Sequence, residues 1–585
     1  MTRVFVALAL LGVACATPVP SNTLPKVVLG LYEPIPETVS SNFAEFAKTA
    51  FHMPEHIKLA EPNFVAYRKD GETYHKHFWY PGQNYYVDMP FKLGEKMTTT
   101  MNGKTIEYEI TAEGDDNTAT IHAKLREVDG DVKFTVETRF DKFGYNATYT
   151  KDALVAKISY RRTLPFYVFG AYELDITKSS PNTAEFYNNF FPLPKGLTWT
   201  KDTKFFVGRH GNKFYEKFIV DATYYEKVEF ELNKPGSIQH GNHTVNYHYE
   251  VVETTKETTT LRITYKCPEK GTLVFTCVFD HEGVTSTAKS DKGEVKTRYN
   301  RVLPWLFYGK FKEVPEKTEN YEEFTKGEDC PFAHKNQPAT LEIFKKGDHY
   351  GARKSFGEEK AMEFEFKLNT PQEFQANGKT FKYNVTIQSR GDKVIMHSKI
   401  KVKGTDKWFI VEEQVAPEGL YVTYKREGVV AKKFLRRVLP KTVFGTFEST
   451  DNNDEFKAFT THIGAPELFK KITIEFSDAE NGVFVQKLTP EGDATQESRI
   501  TFGKPDEITV HGKHLEQKWF YYEVDNTPVL RGSINQTDNA NNYFDVVGIF
   551  RPDGYTATFV YDHNTKIAHR TYTRKGAAVP FEPAH

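Results

Sequence analysis

The 585-residue sequence contains little cysteine, no excess of charge of either sign and only one long apolar run. Four cysteines are too few for a disulfide-built scaffold of this length. Lys and Arg number 77 against 78 Asp and Glu, so there is no electrostatic basis for nucleic-acid binding. Disordered chains are poor in aromatics, whereas aromatics make up 14% of this one. The composition therefore predicts packed globular domains that do not bind nucleic acid.

The one apolar run lies at the N-terminus. Arg3 precedes apolar residues from Val4 to Val13, and Ala14-Cys15-Ala16 supplies the small residues that a signal peptidase requires. A run of this length is too short to span a bilayer, and no later run approaches the required roughly 18 residues. The pattern predicts a signal peptide over residues 1–16 and a secreted, extracellular, soluble protein. A buried first strand or helix is the alternative.

Loss of the signal peptide would leave three cysteines, Cys267, Cys277 and Cys330, an odd number that cannot all pair within one chain. The spacing of Cys267 and Cys277 around a turn does not suit a cross-strand pair. In a secreted protein, Asn-x-Thr sequons are candidate glycosylation sites. They occur at Asn146, Asn242, Asn384 and Asn535.

One short pattern occurs four times along the chain. Leu-Pro-x4-Gly ends at Gly30, Gly170, Gly309 and Gly445, and each glycine begins a Gly-x-aromatic tripeptide. The spacings are 140, 139 and 136 residues, and 140 residues follow the last glycine. This period is too long for a solenoid repeat and fits an independent domain. The sequence therefore predicts four tandem domains.

Each copy changes from helical to strand periodicity in the same order. Apolar residues at helical spacing follow Ser40-Ser41, which is the predicted N-terminal cap of a short helix. These residues are Phe43, Phe46, Ala47, Ala50 and Phe51. The remaining hundred or so residues alternate with period two, as in Ile106, Tyr108 and Ile110, and turns such as Asn102-Gly103 and Asn377-Gly378 interrupt them.

Many short antiparallel strands with one helical segment favour an all-β fold of four tandem up-and-down barrels, each with a short helical lid. A flat sandwich is the alternative, but its crossovers need longer connections. The predicted barrels cover 26–163, 164–302, 303–438 and 439–577, followed by a tail over 578–585.

The repeat resembles the fatty-acid-binding proteins of the calycin group. The similarity lies in the Gly-x-aromatic strand, in Ser41-Asn42-Phe43 and in Phe91-Lys92-Leu93-Gly94-Glu95. The resemblance implies a ten-stranded, clam-shaped barrel with one internal cavity per copy.

The sequence is also similar to the secretory-abundant heat-soluble proteins of tardigrades, which are secreted relatives of that fold. The similarity covers the N-terminal segment, residues 70–77, Gly347-Asp348-His349-Tyr350 and residues 429–433. These relatives are typically single domains, so four fused copies are a departure. The resemblance implies protection of secreted material during water loss.

The fatty-acid-binding resemblance also implies a carboxylate clamp, formed by Arg-x-Tyr on the last strand and a second arginine two strands earlier. The fourth copy retains the triplet as Arg570-Thr571-Tyr572. The first two copies keep only Tyr160 and Tyr299, with Ile158 and Thr297 at the arginine position. The third copy has Lys433, which could hold an anion as a point charge, and Leu435 in place of tyrosine.

A second arginine is missing from the expected position. Glu137, Thr276, Glu412 and Val547 lie near it, and a carboxylate there would repel a fatty-acid head group. Arg298 is one residue out of phase and is predicted to point outwards. Pairing Arg570 within the strand framework is the structural alternative to ligand binding.

No motif indicates catalysis, a cofactor or a metal. His52 and His56 have the spacing of helical metal ligands, but Pro54 interrupts the helix, so solvated histidines are expected. We therefore interpret the chain as a non-enzyme without cofactor. Three hypotheses follow: a secreted protectant that contacts client proteins or membranes on drying, an extracellular carrier of fatty acids or other small hydrophobic ligands, and a structural or storage protein.

Overall fold

The computed structural model describes most of the chain in eighteen stretches. They are residues 23–54, 63–80, 85–194, 197–199, 203–220, 224–240, 243–255, 257–326, 330–332, 338–357, 362–390, 393–449, 453–479, 482–510, 513–524, 527–537, 543–562 and 566–581. The predicted signal peptide and Asn242 lie outside these residues. Two compact units are present among them, one formed by the residues up to Pro165 together with Glu250–Thr260, and the other by the rest.

The strands form four ten-stranded antiparallel sheets, one for each copy of the repeat. The first has β1 (Gly30–Pro34), β2 (Phe64–Asp70), β3 (Thr73–Tyr80), β4 (Tyr85–Phe91), β5 (Lys96–Met101), β6 (Lys104–Gly114), β7 (Ala119–Glu127), β8 (Lys133–Phe140), β9 (Gly144–Lys151) and β10 (Leu154–Thr163). The second has β11 (Gly170–Asp175), β12 (Lys204–His210), β13 (Lys213–Val220), β14 (Tyr224–Phe230), β15 (Pro235–His240), β16 (His243–Thr254), β17 (Thr259–Cys267), β18 (Gly271–Phe279), β19 (Gly283–Ser290) and β20 (Gly293–Val302). The third has β21 (Gly309–Glu313), β22 (Ala339–Lys346), β23 (His349–Phe356), β24 (Met362–Phe366), β25 (Gln372–Ala376), β26 (Lys379–Arg390), β27 (Lys393–Val402), β28 (Trp408–Ala416), β29 (Gly419–Arg426) and β30 (Val429–Val438). The fourth has β31 (Gly445–Ser449), β32 (Ile472–Asp478), β33 (Val483–Pro490), β34 (Gln496–Thr501), β35 (Pro505–Val510), β36 (Lys513–Val524), β37 (Thr527–Gln536), β38 (Tyr543–Arg551), β39 (Gly554–Tyr561) and β40 (Lys566–Arg574).

Each sheet curls into a nearly closed barrel. Neighbours in sequence are neighbours in the sheet, and the first strand of each copy also pairs with the tenth. The fourth and fifth strands are the two ends of each order, as with β4 and β5. This topology confirms the predicted up-and-down barrel and excludes the sandwich, because a sandwich requires crossovers between two sheets.

One short α-helix follows the first strand of each copy. The helices are α1 (Phe43–Ala50), α2 (Thr183–Phe190), α3 (Tyr321–Thr325) and α4 (Asp454–His462). The predicted periodicity of α1 is confirmed, since Phe43, Phe46, Ala47 and Ala50 are buried. Among the described residues, no helix is both long enough and apolar enough to cross a membrane.

The predicted capping of α1 is wrong by one residue. Asn42, rather than Ser40 or Ser41, occupies the N-cap position, and its side chain does not cap the helix. The Ser40 hydroxyl instead accepts a hydrogen bond from the Lys157 amide at 2.9 Å, which ties the start of α1 to β10. The serine is therefore used to dock the helix on the barrel.

An arginine at the end of the last strand fastens each barrel to its opening segment. Its guanidinium donates to the carbonyl oxygen of the residue before the glycine of the Leu-Pro-x4-Gly pattern, which we call the motif glycine. The guanidinium also packs over the aromatic ring of the residue two positions after that glycine. In the first barrel, Arg162 donates to the Leu29 carbonyl at 2.8 Å, and its guanidinium carbon lies 5.1 Å from the centre of the Tyr32 ring. The equivalent arginines are Arg301, Arg437 and Arg574. We call this arrangement the arginine lock.

Candidate functional site

Each barrel encloses a cavity lined mainly by apolar and aromatic side chains. The cavities of the first and second barrels measure about 80 Å³ each, and those of the third and fourth about 170 and 180 Å³. The larger volumes make the last two barrels the better candidates for holding a small molecule.

One cavity-facing position differs in chemistry from copy to copy. The glycine of the Leu-Pro-x4-Gly pattern pairs with a residue of the second strand, and that residue pairs in turn with one on the third strand. The side chain of this third-strand residue points into the cavity. This position holds Lys76, Glu216, Ala352 and Gln486 in the four barrels. The same position therefore places a cation in the first cavity, an acid in the second, a methyl group in the third and an amide in the fourth.

In the second barrel the acid belongs to a buried hydrogen-bonded chain. The Tyr249 hydroxyl donates to Glu216 at 2.9 Å, and the Tyr249 and Tyr265 hydroxyls lie 2.5 Å apart. Burial raises the pKa of Glu216 to about 7, against the lowering effect of the Tyr249 hydrogen bond. An acid group in this cavity disfavours a carboxylate ligand.

Lys433, predicted to hold an anion, already has an anionic partner within the protein. Its Nζ lies 2.7 Å from a carboxylate oxygen of Glu313 and 3.5 Å from the centre of the Tyr321 ring. Glu313 also accepts a hydrogen bond from the Ala339 amide at 3.0 Å. Although burial opposes it, the hydrogen bond from Lys433 and these further contacts hold the pKa of Glu313 below its ordinary value.

Lys354 and Glu413 face the third cavity together with Lys433. Burial lowers the pKa of Lys354 to about 8 and raises that of Glu413 to about 7. The third cavity therefore brings positive and negative groups together rather than presenting a single anion-binding cation.

Arg570 is fully buried and its donors point at the protein. It donates to the carbonyl oxygens of Leu468 at 2.8 Å and Lys470 at 2.5 Å, and to the Ser449 hydroxyl at 3.0 Å. Its guanidinium carbon also lies 4.3 Å from the centre of the Phe456 ring. These contacts fit the structural alternative, and the ligand role of Arg570 stays a prediction.

The predicted tyrosines line the cavities. Tyr160 lines the first, Tyr299 the second and Tyr572 the fourth. Tyr160 stacks on Tyr145, and Tyr572 on Tyr555, with ring centres 4.6 Å apart in both pairs. Their ligand role is a prediction, but their placement in the cavities follows from their register on the last strand.

Strand pairing places the expected position of the second arginine one residue after the four residues that the sequence put near it. The clamp position on the last strands holds Ile158, Thr297, Lys433 and Arg570. Through pairing with the ninth strand, these four are linked to four cavity-facing residues of the eighth strands. They are Thr138, Cys277, Glu413 and Gly548 rather than Glu137, Thr276, Glu412 and Val547. Neither set contains an arginine.

Arg298 and the three cysteines also have defined environments. Arg298 pairs with Asp280 at 3.1 Å, in keeping with its predicted outward direction. Cys267, Cys277 and Cys330 are free and buried, and burial raises the pKa of Cys277 to about 12, which disfavours the reactive thiolate.

Three predicted sequons lie within the described residues, and all three are on strands. Asn146 on β9 is exposed, whereas Asn384 on β26 and Asn535 on β37 are half-buried. The Ser159 hydroxyl donates to the Asn146 side chain at 2.6 Å.

The chain resembles proteins of known family. It is 30% identical over 142 residues to secretory-abundant heat soluble protein 68234 of a Hypsibius species, a match that covers 24% of this chain and 79% of that relative. It is 38% identical over 58 residues to secretory-abundant heat soluble protein 1 of Ramazzottius varieornatus, which covers 10% of this chain and only 34% of that relative. No protein-family model matches the chain.

Two solved structures are similar to single copies. A secretory abundant heat soluble protein from Ramazzottius varieornatus is 26% identical with a TM-score of 0.22, covering 24% of this chain and 100% of that one. Echinococcus granulosus fatty-acid-binding protein 1 is 18% identical with a TM-score of 0.20, covering 23% and 98%. Because the Hypsibius match spans 79% of its relative at 30% identity, this chain belongs to the secretory-abundant heat soluble protein family, with four barrels in tandem.

Proposed function

We propose that this protein is secreted and protects other proteins during water loss and heating, without catalysing a reaction. Family membership is the observation that carries the proposal, because the relatives are named for abundant secretion and for solubility after heating. The N-terminal apolar run behind Arg3, with small residues at its end, supports export of this chain as well.

The charge pattern of the strands supports a protective role. Positive and negative residues are nearly equal in number and pair across neighbouring strands. Arg126, for example, donates to both carboxylate oxygens of Glu107 at 2.7 and 3.0 Å. Such a face offers donors and acceptors that can replace water at the surface of a client protein, and dispersed charge opposes aggregation.

The contacts of the two predicted cationic ligands favour protection over transport of carboxylates. Arg570 donates to backbone carbonyls, and Lys433 pairs with Glu313. A fatty-acid head group would have to displace these partners from the buried Arg570 and Lys433, and leaving buried polar groups unpaired is costly.

Drying a labile enzyme with the full-length protein tests the proposal. We expect the enzyme to retain more activity after rehydration than with an equal mass of albumin, and the protein to stay in the supernatant after boiling. Protection no better than that of albumin would contradict the protectant role. Loss of client activity before drying, or turnover of the client, would contradict the absence of catalysis.

A carrier of small hydrophobic ligands is the second candidate, and the size of the fourth cavity favours it. Gly548 lines this 180 Å³ cavity, and a Cβ atom added there would make only ordinary contacts, 3.4 Å or more from its neighbours. The other three copies carry a side chain at the position equivalent to Gly548. Gly548→Leu is therefore expected to fill the cavity without unfolding the barrel.

Titration with a fluorescent fatty acid tests this second candidate. If the fourth barrel carries ligand, Gly548→Leu reduces binding at least about tenfold, while the matched control Ile549→Leu, one residue along β38, binds like the original protein. Absence of binding to the original protein, or equal binding by both variants, would exclude the fourth cavity as a carrier site.

A further inference from the structure

Away from the cavities, two histidines and an aspartate meet on the outer face of the first barrel. His75 and His77 flank the cavity-facing Lys76 on β3, so they share the opposite face of that strand. Asp88 is paired with His77 on the neighbouring strand β4. The Nδ1 atoms of His75 and His77 lie 3.1 and 3.3 Å from the same carboxylate oxygen of Asp88.

Two of the other three barrels place a cation opposite a carboxylate at this cross-strand pair, whereas the second barrel pairs Lys217 with Lys227. In the third barrel, the equivalents of His77 and Asp88 are Arg353 and Glu363, an ion pair at 3.1 Å. In the fourth they are Lys487 and Glu497, at 3.9 Å. The first barrel therefore holds an imidazole–carboxylate pair where the third and fourth barrels hold a permanent cation and a carboxylate.

The second imidazole is a further departure. The residues equivalent to His75 are Tyr215, Gly351 and Val485, none of which is a metal ligand of the imidazole or carboxylate type. In the first barrel, the two imidazole rings are nearly parallel, at 10° with centres 5.6 Å apart, so both present nitrogen atoms to one carboxylate.

The spacing of the three groups suits a metal ion. Ligands about 2.0–2.1 Å from a tetrahedral Zn²⁺ lie roughly 3.3 Å from one another. The distances from Asp88 to the two histidines are close to that value, and ligand atoms of all three residues fall within 4.8 Å of one another. The side chains are 22%, 16% and 35% exposed in the order His75, His77 and Asp88, so an ion could reach them from solvent.

One nitrogen of this cluster has two polar neighbours. His77 Nδ1 lies 2.5 Å from the Tyr86 hydroxyl as well as 3.3 Å from Asp88. A ring nitrogen carries either one proton or one lone pair, so it makes one good hydrogen bond at a time. Arg68, paired with His75 from β2, is the nearby cation that would compete with a metal for Asp88.

We propose that His75, His77 and Asp88 form a binding site for a divalent transition-metal ion of the zinc type. Two imidazoles and one carboxylate are a recurrent three-ligand set for such ions, and they leave a fourth position for water. Among the residues that the structure describes, this cluster occurs in the first barrel alone, so we expect one ion per chain.

Calorimetric titration of the untagged full-length protein with ZnCl₂ after EDTA treatment tests the site, with Co²⁺ absorption reporting the coordination geometry. His75→Tyr introduces the residue of the second barrel, and Asp88→Asn removes the carboxylate charge. Each variant is expected to lose the site or to bind at least about tenfold more weakly.

The matched control is His122→Ala. His122 is a half-exposed histidine of the same barrel that lies 3.6 and 3.9 Å from Glu113 and Glu137, and among the described residues it is not part of a three-ligand cluster. This variant is expected to bind one equivalent like the original protein. Absence of Zn²⁺ binding to the original protein, or unchanged binding by Asp88→Asn with a normal melting temperature, would overturn the proposal.

Discussion

The Nη1 atom of Arg301 lies 2.7 Å from the position that a Cβ atom would occupy on Gly170. The φ angle of Gly170 is 145°, a conformation that other residues rarely adopt. Gly170→Ala is therefore expected to displace the arginine lock of the second barrel and to cost about 3 kcal/mol of unfolding free energy. Urea denaturation measures this loss.

Gly211→Ala provides the control for that prediction. Gly211 also has positive φ, 57°, but nothing lies within 4 Å of an added Cβ atom. We expect this variant to lose only about 1 kcal/mol. Equal losses in the two variants would show that backbone conformation alone, and not the lock, requires glycine at the motif.

Arg570→Met is expected to destabilise the fourth barrel rather than to remove a ligand contact. The change removes the fully buried guanidinium and leaves the carbonyl oxygens of Leu468 and Lys470 without this donor, at a cost of about 3 kcal/mol. Lys471→Met, which breaks a surface pair with Glu448, should change the unfolding free energy by less than about 1 kcal/mol. An Arg570→Met variant of normal stability that no longer binds a fluorescent fatty acid would restore Arg570 to the carboxylate clamp.

Glu216 should make the second barrel less stable as pH rises. Its pKa increases from 4.5 to about 7 on folding, so the folded state holds a proton that the unfolded state has released in this range. Stability is therefore full below pH 4.5 and falls through pH 7, by about 3 kcal/mol in total. Glu216→Gln should remove this loss, giving a more stable barrel above pH 7 and little change at low pH.

Urea denaturation across this pH range, with Glu231→Gln as the control, checks that prediction. Glu231 is on the surface and pairs with Lys234 at 2.6 Å. The control should keep the pH profile of the original protein. The same profile in Glu216→Gln would mean that the buried acid does not set the pH dependence.

Glu313 and Lys433 should be strongly coupled. Both side chains are nearly buried, at 7% and 6% exposure, so removing one partner leaves a charge with poor solvation. Glu313→Gln and Lys433→Met are each expected to cost about 3 kcal/mol, and the double variant less than their sum. A double-mutant cycle by urea denaturation measures the coupling, and additive losses would contradict it.

Among the sequons, Asn146 should carry a glycan more completely than Asn384. The Asn146 side chain faces solvent, whereas Asn384 is half-buried and its Oδ1 atom is enclosed by the protein. Asn146→Gln should remove more of the mass that peptide-N-glycosidase releases from the secreted protein than Asn384→Gln does. A larger loss of released mass in Asn384→Gln than in Asn146→Gln would show that burial in the folded protein does not decide which sequon carries a glycan.

The fold could be predicted from the sequence because its signals are local and repeated four times. The Asn102-Gly103 turn, for example, adopts positive φ at both residues and joins β5 to β6, as expected of an Asn-Gly hairpin. The last strand could also be aligned on the repeat, and Tyr160 and Tyr572 line cavities in the structure, while their ligand role stays a prediction.

The features that were missed depend on pairing between distant segments. The sequence could put the second arginine position only near Glu137, because alternation gives a period but does not show which residue of β8 points inwards. The partners of Arg570 lie about a hundred residues away in a segment without a motif. Asp88 likewise meets His75 and His77 only through strand pairing, so the sequence could show the two histidines but not the cluster.

The arginine lock has a consequence for synthesis of the chain. Arg162 emerges from the ribosome some 130 residues after Leu29, so the first barrel cannot fasten until its tenth strand is available. The same guanidinium–carbonyl contact is built into all four copies, and it does not identify the copy to which it belongs. Correct assembly therefore depends on each barrel fastening before the next tenth strand emerges, which makes exchange of last strands between copies the characteristic misfolding risk of this chain.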